Sequence, residues 1–127
     1  MKANELMIED WVISNKRGKD EIVKVVSIEG GTNFCWLDAD CFSGLVACED
    51  LSPIPLTPEI LEKNGWKETA YWHEYQDGKN IIQCCLPDMR GRINGIKIEH
   101  FKCEYVHQLQ HALRLCGLNE LADNFKI

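Results

Sequence analysis

The sequence predicts an α+β fold: an N-terminal small SH3-like β-barrel or bent sheet, then a C-terminal antiparallel sheet of about three strands packed by one long helix. Three observations carry that expectation. The first is the stretch Glu104–Gly117, EYVHQLQHALRLCG. Its apolar residues Tyr105, Val106, Leu109, Ala112, Leu113 and Cys116 recur at helical spacing and fall within an arc of roughly 120°, the stripe of a helix that docks on something. The second is the run of β-branched and aromatic segments before it, broken by Gly, Asn and Asp turns. The third is a proline-rich junction at Asp50–Thr57 that leads into a helix with explicit start and stop signals.

In chain order, Asp10–Ser14 opens a β-type region, and Asn15–Asp20 is a polar turn containing Gly18. Glu21–Glu29, EIVKVVSIE, is the strongest strand signal in the chain. Gly30-Gly31 turns it, and Thr32–Leu37 and Phe42–Cys48 follow as strands around a turn at Asp38–Asp40. Pro53 and Pro55 forbid helix and make the junction stiff and extended. Thr57 then stands at the N-cap, Pro58 at the first helical position, and Asn64-Gly65 at the stop. Thr69–Tyr75 predicts a strand, Asp77-Gly78 a hairpin turn, and Asn80–Leu86 its partner strand. Pro87–Arg92 is expected as an exposed loop, Gly95–Phe101 as a half-buried strand, and Asn119–Ile127 as a tail after the long helix. The expected organisation is therefore residues 1–52 as a barrel-like subdomain, 53–65 as linker and short helix, and 66–127 as sheet plus helix.

Composition limits function. With 127 residues, 45% of them hydrophobic and 27% charged, the chain is a soluble globular protein rather than a disordered one. No apolar run approaches the roughly 20 residues of a membrane span, and the N-terminus lacks a secretory apolar core, so a cytoplasmic setting is expected. The formal charge is −6, and it is unevenly spread: residues 1–55 hold five Lys/Arg against ten Asp/Glu, residues 56–127 nine against ten. That acidity disfavours nucleic acid as a general partner. The seven cysteines, Cys35, Cys41, Cys48, Cys84, Cys85, Cys103 and Cys116, are odd in number and form no C-x-x-C pair. They are expected as small buried hydrophobes of a reducing compartment.

Two stretches, IPLTPEILEKNGW (Ile54–Trp66) and YVHQLQHALRL (Tyr105–Leu115), together with the opening MKANELMIEDWV, carry a resemblance. They resemble a family of short uncharacterised proteins of gut anaerobic bacteria and their phage-derived or mobile elements. The resemblance implies a two-part organisation and a bacterial cytoplasmic setting. It carries over no activity, cofactor or site residue. Members of that family tend to have Gly before the Asp-Trp or Asp-Tyr pair near the N-terminus, where this chain has Glu9.

Several residues invite chemistry. His107 and His111 stand at i and i+4, like the metal-binding pair of H-E-x-x-H, but Gln108 occupies the place of the general base. A carboxamide cannot take a proton from a metal-bound water, and Arg114 adds a cation to the same expected polar face. That face is therefore expected in water or against a partner. Cys103, near His100 and the start of the helix, is the best placed of the thiols for nucleophilic work, yet no third residue orients it. Arg90 and Arg92, with Lys97, Lys102 and the aromatics Tyr71, Trp72 and Tyr75, could meet phosphates and bases if their sheet face is open. No phosphate-binding loop, dinucleotide fingerprint or nucleophile elbow is present. The sequence thus assigns no catalytic, cofactor or metal residue. It names His107, His111, Arg114, Arg90 and Arg92 as interaction residues, and it expects a non-enzymatic protein-interaction or accessory protein of a mobile element. A nucleic-acid module using Arg90–Arg92 is the alternative, and a metal enzyme at His107/His111 comes last.

Overall fold

The structure is a computed structural model that describes residues 1–39 and 42–127, the side chains of residues 39, 42, 43 and 100 excepted. The chain divides into two compact units, Met1–Ile54 and Pro55–Ile127.

The first unit is one five-stranded antiparallel sheet. Its strands are β1 (Trp11–Ser14), β2 (Glu21–Ile28), β3 (Phe34–Ala39), β4 (Phe42–Ala47) and β5 (Leu51–Ser52), in the order β4-β3-β2-β1-β5. Alternation explains the core. Val12, Val23, Val25, Cys35, Leu37 and Val46 point to one face and are buried together with Leu6, Cys48 and Leu51. The expected turn at Asp38–Asp40 lies partly outside the described residues, as does Cys41; Asp38 belongs to β3. β5 sits inside what the sequence marks as a proline junction. A 3₁₀ turn at Cys48–Asp50 returns the chain to β1 before Pro53 can interfere, with Ser14 opposite Leu51.

Entry into β1 is fixed by Asp10, which is fully buried. Its carboxylate accepts the Met7 N–H at 2.8 Å and its carbonyl accepts the Val25 N–H at 3.0 Å. The preceding Glu9 has φ 75°, in the left-handed region. Its N–H reaches the Val25 carbonyl at 2.7 Å, and its carboxylate pairs with Lys24 at 2.9 Å.

The second unit begins with α1 (Pro58–Lys63). Thr57 caps it, its hydroxyl accepting the Ile60 N–H at 3.3 Å, and Gly65 leaves it at φ 84°. Asn64 then binds the C-terminal segment with both ends of its amide: it donates to the Lys126 carbonyl and accepts the Lys126 N–H, each at 2.7 Å. The sheet of this unit holds β6 (Lys67–Glu68), β7 (His73–Asp77), β8 (Asn80–Cys85), β9 (Asp88–Ile93) and β10 (Ile96–Lys102), in simple sequential order. α2 (Val106–Leu115) and α3 (Asn119–Asp123) complete it. Gly117 ends α2 at φ 81°, and the Leu118 N–H returns to the Leu113 carbonyl at 2.9 Å.

These facts overturn the α+β expectation. The chain is mostly β, with two five-stranded antiparallel sheets, and among the described residues no single long helix packs a three-stranded sheet. α2 has 10 residues, about three turns. Residues 87–92 are not an exposed loop, because Asp88–Ile93 is a central strand, paired with both β8 and β10. The strand expected at Thr69–Tyr75 is displaced to His73–Asp77, after a turn in which Thr69 accepts from and donates to Trp72.

Gly91 is what lets β9 lie so close to β8. A Cβ there would stand 2.6 Å from the Ile81 carbonyl oxygen and 3.3 Å from the Ile82 Cα, both backbone atoms that cannot swing away. Gly91→Ala is expected to destabilise the protein by about 1–3 kcal/mol in urea unfolding. Gly30→Ala, whose Cβ meets nothing within 4 Å, is the control and should shift the midpoint little. At Glu9 the order of stabilities is the test. Glu9→Gly should stay within about 0.5 kcal/mol of wild type, because relief of the left-handed strain offsets the lost exposed ion pair. Glu9→Val should lose about 1–2 kcal/mol. Equal stabilities for the two would refute the backbone assignment.

Candidate functional site

The residues singled out in the sequence fall in two places. His107, His111 and Arg114 lie on α2, and they do not form a solvated face. His107 is only 7% exposed. Its ring stacks on Tyr105 at 6.0 Å and meets His111 edge-on at 5.5 Å. Gln110, fully buried, donates to the Ala122 carbonyl at 3.0 Å, and the Arg114 Nε pairs with Asp123 at 3.3 Å. The polar side of α2 is thus the side that receives α3, a helix the sequence reading takes as a tail. No Cys, Asp or Glu among the described residues joins His107 and His111 in a metal-ligating group.

Four of the six described thiols are shut away from solvent. Cys35, Cys48, Cys84 and Cys103 are buried. Burial pushes the Cys103 thiol up from 9.0 to about 12, which removes the nucleophile the sequence had offered. Cys84 is also raised to about 12, first by burial and then by Cys103, Cys85 and Asp88. Cys35 rises to about 12 through burial and the neighbouring Cys48. Cys35, Cys84 and Cys103 therefore stay protonated at neutral pH.

Arg90 and Arg92 sit on β9, and alternation sends both to the face opposite buried Met89 and Ile93. The cross-strand register puts Gln83, Ile81 and Lys97 on that same face. The Arg90 guanidinium lies 3.9 Å from the centre of the Trp72 ring, and its Nε donates to Gln83 at 2.9 Å. Lys97 is bound to Glu99 at 2.8 Å. A shallow trough of about 300 Å³ lies here, lined by Ile81, Gln83, Arg90, Arg92 and Lys97 among others. Tyr75 is not part of it: the register sets it opposite Ile82, and its ring lies 5.8 Å from buried Trp66.

The first unit offers a surface of another kind. Phe34 and Trp36 alternate with buried Cys35 and Leu37, and Leu45 lies directly across from Trp36. They are 44%, 42% and 39% exposed, and Val26 is added at the bulge between Val25 and Ser27. The Trp36 Nε1 donates to Glu29 at 3.0 Å, which satisfies its polar atom while the ring stays partly in water. Strand alternation alone signals this patch, since a strand with apolar residues on both faces must expose one set when nothing covers it.

A third group escaped the sequence reading altogether. Glu62 of α1, Glu68 of β6 and His73 of β7 place one donor atom each within 4.8 Å of one another. The residues are close in the chain but match no metal-binding motif, and the cross-strand pairing of Glu68 with His73 beside α1 unites them.

No protein-family model, curated protein or solved structure matches this chain. No helix among the described residues is long and apolar enough to cross a membrane.

The raised thiols have a pH signature. Their folded values lie above the ordinary 9.0, so the stability they support is complete below pH 9.0 and is lost as pH climbs towards about 12. Urea unfolding between those limits should show the fall, and Cys103→Ala should make it shallower. In native protein a thiol reagent should modify exposed Cys85 and spare Cys35, Cys84 and Cys103 until urea is added.

Proposed function

We propose that this is a non-enzymatic interaction protein that works through protein contacts in a bacterial cytoplasm, as an accessory factor of a mobile element. The observation that carries the reading is the apolar patch of Phe34, Trp36 and Leu45 across neighbouring strands of the first unit. Exposed apolar side chains that are contiguous, with an aromatic at the centre, are characteristic of surfaces that meet another protein. The Cys103 thiol, the nucleophile that the sequence offers, is buried and pushed up to about 12. The bacterial and mobile-element setting rests on the resemblance alone.

A second reading has its own observation. The Arg90–Trp72 stack beside Arg92 and Lys97 presents cations and an aromatic on an open sheet face, the combination used for single-stranded nucleic acid. Weighing against it, Arg90 already occupies one side of the indole, Lys97 is ion-paired, and the whole protein carries −6.

Two variants separate the readings. Trp36→Ser/Leu45→Ser changes only exposed side chains and should leave the circular dichroism spectrum intact. Proteins retained from a gut-anaerobe lysate by wild type should fall at least about tenfold on that variant and persist on Arg90→Glu/Arg92→Glu. A short oligothymidylate should bind neither. Oligonucleotide binding that drops steeply with salt and disappears in Arg90→Glu/Arg92→Glu would replace the protein reading with the nucleic-acid one. Identical retention on both variants would sink it.

A further inference from the structure

We infer that Glu62, Glu68 and His73 form a binding site for one divalent transition-metal ion of the Zn²⁺ class. Three elements deliver the donors. Glu68 and His73 are direct cross-strand partners in β6 and β7, so their side chains leave the sheet on the same face. α1 lies against both strands and supplies Glu62 from its last turn. The His73 Nε2 already stands 3.3 Å from the Glu62 Oε1. All three donor atoms lie within 4.8 Å of one another, and bonds of about 2.0–2.2 Å to a central ion need only a small inward rotation of exposed glutamates.

Electrostatics point the same way. Two carboxylates are held close together, and the described cations nearest in sequence turn away from them. Lys63 sends its ammonium to the Ile127 carbonyl at 2.8 Å. Lys67 precedes Glu68 in β6, so alternation points it to the opposite face. A divalent cation relieves the repulsion between the two carboxylates. The imidazole also selects the metal, because nitrogen favours Zn²⁺, Ni²⁺ or Cu²⁺ over Mg²⁺ and Ca²⁺. Three protein ligands leave a coordination position for water. The ion would pin α1 to the edge of the second sheet, the helix whose Asn64 also holds the C-terminal segment.

The experiment is calorimetric titration of the chelator-treated full chain with Zn²⁺. One ion per chain should bind in the micromolar range, and the thermal midpoint should rise with it. His73→Ala and Glu68→Gln should each weaken binding at least about tenfold. Cys85→Ser and His111→Ala should leave it unchanged. Glu68 is exposed, so loss of binding there with an unaltered circular dichroism spectrum reports the ligand and not the fold. Co²⁺ should give a spectrum of nitrogen and oxygen ligation without thiolate charge transfer. Absence of one-to-one binding, or binding that survives both His73→Ala and Glu68→Gln, overturns the assignment.

Discussion

A strand has two faces, and this chain covers only one of them in each sheet. That constraint decides where everything else goes. In the first unit the covered face takes Val12, Val23, Val25, Cys35, Leu37 and Val46, and its other face keeps Phe34, Trp36 and Leu45 in water. In the second unit Ile82, Cys84, Met89 and Ile93 are covered, while Arg90, Arg92 and Lys97 stand on the open side. One geometric rule, alternation, thus produces two surfaces of different chemistry: one aromatic and apolar, the other cationic around Ile81 and Gln83.

The parts legible in the sequence are those whose cause is local. β1 to β4 follow from β-branched runs between turn residues. α1 follows from Thr57, Pro58 and Asn64-Gly65, and the β7–β8 hairpin follows from Asp77-Gly78. What escaped depends on strand pairing and not on the propensity of the segment itself. β9 looks like a loop because Pro87, Asp88, Arg90, Gly91 and Arg92 lack strand propensity; it is a strand because β8 and β10 lie on either side. Its glycine, a breaker by propensity, is the residue that permits the close approach of the two backbones. β5 is only two residues long, and no pattern of that length can be seen beside two prolines.

The site residues divide along the same line. Arg90 and Arg92 are exposed, as expected, although on a strand and not a loop. His107 and Arg114 were placed in water because a helix wheel sorts residues by polarity, and here the polar side is buried too. Gln110 shows why: its amide satisfies a backbone carbonyl of α3, so a polar group is buried with its hydrogen bond made. A wheel drawn for one helix cannot contain the second helix that covers it. Glu62, Glu68 and His73 were invisible for a further reason, since their proximity rests on strand register and helix placement together.

The sheet edges explain why contact is expected through faces and not through strand addition. β5 and β6 are edge strands of two residues each, too short to template a partner. β10 carries Lys97, Glu99 and Lys102, and its register slips between Ile98 and Phe101, which interrupts the edge ladder. β4 is the longest remaining edge, and there the Lys16 ammonium donates to the Leu45 carbonyl at 2.6 Å, laying a charged side chain on its backbone. Short length at β5 and β6 and charged side chains at β10 and β4 thus disfavour strand addition. Side chains on the open faces are what a partner can reach, and recognition by side chains is more selective than strand addition, because each contact depends on the identity of a residue.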